Sequence, residues 1–229
     1  MNHMTPEEIL DQMEELFPDA HCELNHRNAY ELLVAVVLSA QTTDASVNRV
    51  TPALFARFPT PQDMAAADEE EIGSYIRSIG LYRSKARSLR ALSASLCEQF
   101  DGVVPSTYKE LMSLAGVGRK TANVVRSVCF DIPSFAVDTH VERVSKRLGL
   151  AKPQDDVRKV EEKLKRKLPR ERWNKGHHLF ILYGAKPQMR DMPVFLDLPQ
   201  TEDRSEECMR RAFRALLHIK GEDPSPGGT

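Results

Sequence analysis

The stretch LMSLAGVGRKTANVV at residues 111–125 places Gly116 and Gly118 directly ahead of Arg119, Lys120 and Thr121. A lysine in the first turn of a helix sits at the positive end of the helix dipole, which disfavours the ammonium and so favours the free amine, a nucleophile. The plainer reading of Lys120 is a surface lysine on a solvated helix, and placement alone leaves both open. Farther on, FAVDTHVERVSKRLGL puts Asp138 at the predicted start of an amphipathic helix whose buried face carries Val141, Val144 and Leu148. Asp138 there is an ordinary N-cap, or a carboxylate that stabilises positive charge developing on a sugar.

The glycine pair invites three mechanical readings. A phosphate-cradling P-loop fails because the lysine does not directly follow a glycine and no strand precedes it; a dinucleotide fingerprint fails for want of a third glycine and a βαβ setting. A helix-hairpin-helix remains. One helix is expected from near Pro105 to Ala115, with Gly116 and Gly118 free to take positive φ, and a second from near Arg119. The turn's N–H groups would then point outward at a helix N-terminus and hold a phosphate without reading base sequence. An ordinary αα-turn with a glycine C-cap fits this short stretch equally well.

The elements that must position these groups are helical nearly throughout. Apolar residues recur at three- and four-residue steps in Ile9, Met13, Leu16, in Leu32, Leu33, Val36, Val37, and in Leu89, Leu92, Leu96, and proline and glycine punctuate the runs. About ten helices are expected. SFAVDTHV holds a short β-prone stretch, no hairpin of strands is evident, and no repeat of fixed period appears. The tail GEDPSPGGT is too polar to pack, so residues 221–229 are expected to be disordered.

The chain has 229 residues, 41% hydrophobic, enough for one large or two small domains with a buried core. No signal-peptide pattern and no membrane-length apolar segment is present, and an intracellular, cytoplasmic protein is expected. Cys22, Cys97, Cys129 and Cys208 match no metal-knuckle spacing and no small disulfide framework, so buried free thiols are expected. The formal net charge of −1 hides segregation. Residues 1–21 carry six acids and no Lys or Arg; residues 77–97 carry Arg77, Arg83, Lys85, Arg87 and Arg90 and no acid; residues 143–172 hold twelve Lys and Arg against five acids. These basic runs are either solvated helix faces or a stripe that follows phosphates.

The combination LAGVGRKTANVV then FAVDTHVERV resembles the endonuclease III branch of the helix-hairpin-helix DNA glycosylases. The likeness runs from near residue 5 to about residue 185 and includes LLVAVVLSAQTTDASVNRV, IRSIGLYRSKARSL, VPSTYKELMSLAGVGRKTANVV and WNKGHHLFILYG. The resemblance implies a Schiff-base lysine at Lys120 and a catalytic aspartate at Asp138. The lysine amine would attack C1′ of a flipped nucleotide, the damaged base would leave, and β-elimination would cut the strand. It also implies that Gln41 fills the space vacated by the flipped base and that Leu81 wedges the opposite strand, offsetting the cost of unstacking. Read from the residues alone, Gln41 is a loop glutamine and Leu81 a core leucine. DNA contacts are implied at Gly116, Gly118, Arg119 and Thr121. A lysine at 120 favours a bifunctional glycosylase and AP lyase, with oxidised pyrimidines as inferred substrates; a monofunctional glycosylase and a non-catalytic DNA-binding module are the alternatives.

The sharpest departure follows HHLFILYG. The family's cluster-binding cysteines, spaced C-x6-C-x2-C-x5-C, would fall on Gln188, Phe195, Leu198 and Arg204, none of which can ligate iron. No [4Fe–4S] cluster and no other cofactor is expected. An apolar run including Met189, Met192, Val194 and Leu196 would pack the segment instead, with Lys186 and Arg190 keeping part of its contact with DNA. The resemblance implies an all-α fold of two helical domains with a DNA-binding cleft between them: residues 22–132 with the hairpin, and residues 1–21 joined to 133–220. The expected partner is double-stranded DNA bearing damaged bases or abasic sites. A monomer associated with a bacterial nucleoid is expected.

Overall fold

The structure is a computed structural model that describes residues 5–185. The degenerate cluster segment and the polar tail lie outside the described residues. The chain divides into two compact units, Cys22–Ala136 and residues 1–21 with 137–229. The division falls at Ala136 rather than after residue 132, because the chain beyond the second hairpin helix stays buried. Ser134, Phe135 and Ala136 are all buried, and Asn123 Nδ2 donates to the Phe135 carbonyl at 3.5 Å. The β-prone stretch forms no strand: residues 134–138 carry no regular structure and residues 139–141 open a helix, and among the described residues all regular structure is helical.

Helix α1 (Pro6–Leu16) opens the chain with a Thr5–Glu8 capping box and buries Ile9, Leu10 and Met13. The unit that starts at Cys22 is built around α2 (Ala29–Leu38). Every residue from Tyr30 to Leu38 is buried. A helix apolar on all sides has no solvent face and becomes the centre of its domain, each buried Leu or Val contributing about 1.5–3 kcal/mol. Around it lie α3 (Asp44–Arg57), α4 (Pro61–Ala66), α5 (Glu69–Tyr75), α6 (Tyr82–Phe100), α7 (Tyr108–Ser113) and α8 (Arg119–Phe130). Helices α3, α6 and α8 pack directly on α2, and α4 and α5 pack on α6. The loop leaving the C-terminus of α2, the turn entering α6 and the N-terminus of α8 are thus all anchored to one core.

The other unit joins α1 to α9 (Thr139–Arg147), α10 (Val157–Lys167), a 3₁₀ turn at Arg170–Arg172 and α11 (Trp173–Ala185). Helix α11 packs on α1 and on α9. Gly184 permits the second contact, since a Cβ there would lie 2.9 Å from Val144 Cγ2 and 3.0 Å from His140 Cβ. Arg143 Nη2 closes the crossing by donating to the Gly184 carbonyl at 2.6 Å. The acidic start of the chain finds its counter-charge here: Arg172 pairs with Asp11 and with Glu14, and Lys175 pairs with Glu14. Those contacts hold the Glu14 carboxyl below the usual carboxylate range. Part of the basic run at 143–172 is likewise engaged, as Lys146 pairs with Glu142, Lys163 with Asp155, Lys165 with Glu161 and Arg158 with Glu162. At least five of the twelve basic residues of this run are thus paired within their own unit.

Candidate active site and DNA interface

The hairpin is shorter than its sequence reading. Thr107 accepts from the Glu110 N–H, so α7 begins at Tyr108 rather than near Pro105, and Leu114 is already extended. Gly116 takes φ +76°, the left-handed conformation expected of it. Gly118 does not: its φ is −95° and ψ 177°, an extended residue serving as N-cap of α8. A Cβ built on Gly118 meets nothing within 4 Å. The space in front of this N-terminus is open, which is what close approach of a phosphate to backbone N–H groups requires.

Helix α8 enters without a side-chain cap and without an acid in its first turn. Most other helices here, including α2, α7, α9 and α10, carry a side chain that accepts a first-turn N–H. A helix N-terminus with no side-chain cap and no acid nearby presents partial positive charge, which favours an anion. Lys120 is exposed in that first turn and Thr121 beside it is half-buried. Arg119, expected at the DNA backbone, is turned inward across the hairpin. Its Nη1 donates to Tyr108 Oη at 3.2 Å and its guanidinium lies 5.5 Å from the Tyr108 ring centroid. Tyr108 was not singled out from sequence, although its spacing from Arg119 across a tight turn would have suggested the pair.

In the other unit Asp138 is the N-cap of α9, and one of its oxygens, Oδ1, accepts the N–H groups of His140 and Val141, each at 2.9 Å. The capping role is thereby filled by a single oxygen of a half-buried carboxylate.

Gln41 and Leu81 share an unusual backbone. Gln41 has φ 55° and Leu81 φ 59°, whereas the other left-handed non-glycine residues among those described are both aspartates. A branched side chain in this region costs on the order of 1–2 kcal/mol. Leu81 is not a core leucine: it is 63% exposed and occupies the N-cap position of α6. A strained, protruding apolar side chain is suited to entering a base stack. Lys85, counted from sequence among the exposed basic residues, is buried, and its Nζ donates to Thr42 Oγ1 at 2.5 Å.

The donor chemistry does not fit an iron–sulfur cluster. Gln188, Phe195, Leu198 and Arg204 offer no thiolate at the four spaced positions, and no group of three His, Cys, Asp or Glu able to hold a metal occurs among the described residues. The described thiols, Cys22, Cys97 and Cys129, are free and half-buried rather than fully buried. No described helix is long and apolar enough to cross a membrane.

Residues 34–170 match the HhH-GPD superfamily of base excision DNA repair proteins. Endonuclease III of Bacillus subtilis strain 168 is 54% identical over 175 residues, covering 76% of this chain and 80% of that protein. Endonuclease III of Escherichia coli K12 is 45% identical over 184 residues, covering 80% and 87%. A solved structure of a trapped endonuclease III–DNA covalent intermediate superposes with a TM-score of 0.78 at 49% identity, covering 91% of this chain and 99% of that one. These likenesses extend over the hairpin, the lysine-bearing helix and the aspartate that caps α9, and the chain belongs to the endonuclease III family of the HhH-GPD superfamily.

Proposed function

We propose that this chain is a base excision DNA glycosylase with AP lyase activity, in which Lys120 is the nucleophile and Asp138 the carboxylate that steadies the sugar cation. The observation that carries this reading is the placement of Lys120, an exposed residue, in the first turn of a helix with no side-chain cap, immediately after a hairpin turn whose Gly118 faces open space. The hairpin N–H groups hold the DNA backbone beside the target nucleotide. The amine forms a bond to C1′, the bond from C1′ to the base breaks, and the base leaves with the bonding pair and takes up a proton. The nitrogen, having lost a proton, then pushes its lone pair into C1′ as the C1′–O4′ bond breaks and O4′ takes up a proton, giving a protonated imine that acidifies the 2′ position. Loss of a 2′ proton to a base breaks the C3′–O bond, the 3′ phosphate leaves with the bonding pair, and the strand is cut. Gln41 and Leu81 fill and wedge the opened duplex.

The substrates are oxidised pyrimidines and abasic sites in duplex DNA, met by a monomer in the bacterial cytoplasm at the nucleoid. The enzyme works without a [4Fe–4S] cluster, since the lysine and aspartate stand on elements other than the substituted segment.

Borohydride trapping on a duplex with one abasic site tests this directly, with Lys120→Ala and Asp138→Asn alongside and an iron assay on the same protein. The expected result is a covalent adduct absent from Lys120→Ala, formed by colourless, iron-free protein. Base release without adduct or strand cut would instead establish a monofunctional glycosylase. Duplex binding without either activity would establish a binding module, and four irons per chain would overturn the cluster-free reading.

A further inference from the structure

Lys85 is 6% exposed, in the first turn of α6. Among the described residues its ammonium makes one side-chain hydrogen bond, to Thr42 Oγ1 at 2.5 Å, and no ion pair. Burial pulls its pKa below the ordinary lysine value. An ammonium taken out of water with a neutral hydroxyl as acceptor is costly, and an apolar side chain would fill the same volume at lower cost. Such a residue persists where its geometry is used.

The geometry here is specific. Lys85 N–H donates to the Leu81 carbonyl at 3.0 Å, while its side chain reaches the residue immediately after Gln41. The two residues so joined to it, directly or through one peptide bond, both hold left-handed backbones. Neither loop has a glycine at the strained position to set that conformation cheaply, so an external tie is needed to hold it.

We propose that Lys85 is a positioning residue that ties the Gln41 loop to the Leu81 turn, so that both side chains enter the duplex as one preset unit. This rests on the reading of Gln41 and Leu81 as the inserting residues. A loose pair of loops would have to be ordered on DNA at each encounter, and the tie removes that entropic cost before binding. Thr42 is the counterpart, and its hydroxyl rather than its methyl is the required feature.

The test uses the full chain and a duplex carrying an oxidised pyrimidine beside 2-aminopurine, whose fluorescence reports unstacking. Lys85→Met and Thr42→Val are each expected to lower single-turnover base release and the fluorescence rise about tenfold, with Thr42→Ser restoring both. Borohydride trapping on an abasic site in single-stranded DNA, where no stack must be opened, is expected to match the parent in all three. Gln41→Ala and Leu81→Ala are run in parallel. If those two lower duplex turnover while Lys85→Met and Thr42→Val do not, the tie is overturned and the inserting residues stand. Unchanged turnover in Gln41→Ala and Leu81→Ala would remove the inserting reading, and the tie with it. Equal losses on single-stranded and duplex DNA would make Lys85 a general folding residue and also overturn the proposal.

Discussion

Asp138 Oδ1 accepts the backbone N–H of Val141 at 2.9 Å while accepting that of His140 at the same distance. One oxygen thus does the work of the cap, and the charge of the carboxylate is a separate property that substitution can isolate. Asp138→Asn keeps an oxygen to accept both bonds and removes the charge. Its thermal midpoint is expected within about 2 °C of the parent, with trapping and base release strongly reduced. Asp138→Ala removes the cap as well and should cost about 1 kcal/mol, roughly 2–4 °C in a chain of this size. Thermal melts beside single-turnover assays check the pair; equal destabilisation by both would mean the charge itself holds α9.

The two hairpin glycines should separate in the same way, because only Gly116 is left-handed. Gly116→Ala is expected to lose roughly 1–2 kcal/mol of stability from the strained φ. Gly118 is extended and its missing Cβ faces open space. For Gly118→Ala the poorer cap and the reduced unfolded-state entropy offset one another, leaving stability within about 0.5 kcal/mol. A methyl in front of the α8 N–H groups should nonetheless weaken duplex binding about tenfold and flatten its salt dependence. Denaturant melts and DNA titrations at two salt concentrations measure both effects.

His178 on α11 provides a pH test of the unit that contains α1 and α9–α11. Burial, helped by the nearby charge of His21, pushes the His178 imidazole down to about 4. Protons therefore bind the unfolded chain more readily than the folded one between about pH 6.5 and pH 4. The contribution of this group is present in full above pH 6.5 and is lost as the pH falls through that window. His178→Gln should flatten the acid limb of the stability curve, with a melting point at pH 4.5 nearer to its value at pH 7 than in the parent. An unchanged acid limb would show that other groups carry the acid sensitivity.

Sequence reading reached some of these features and not others, for physical reasons. Helix α2 was legible because a run apolar on every side can only be central, and Asp138 because N-caps are local. The two-glycine turn was legible as a hairpin, yet the extended φ of Gly118 was not, since glycine permits both hands and the packing of α7 on α8 selects one. Leu81 read as a core residue because leucine usually is one; only the backbone of the turn before α6 turns it outward. Lys85 lies 43 residues from its partner Thr42, and no local pattern reports a buried ammonium. The basic run at 143–172 was visible as composition, but its neutralising partners, including Asp11 and Glu14 at the far end of the chain, emerge only in the folded unit.

The strain at Leu81 leads to a prediction with opposite signs for stability and activity. A leucine at φ 59° forgoes on the order of 1 kcal/mol that asparagine, which tolerates the left-handed region, would recover. Because the side chain is 63% exposed, little burial is lost on replacement. Leu81→Asn should therefore raise stability by about 0.5–1 kcal/mol, seen as a higher denaturant midpoint at unchanged slope. The same change removes the apolar wedge, so base release from duplex DNA should fall while trapping on a single-stranded abasic site holds. A variant both more stable and fully active on duplex would show that the strained leucine serves the fold in some other way and that opening of the duplex depends on Gln41 alone.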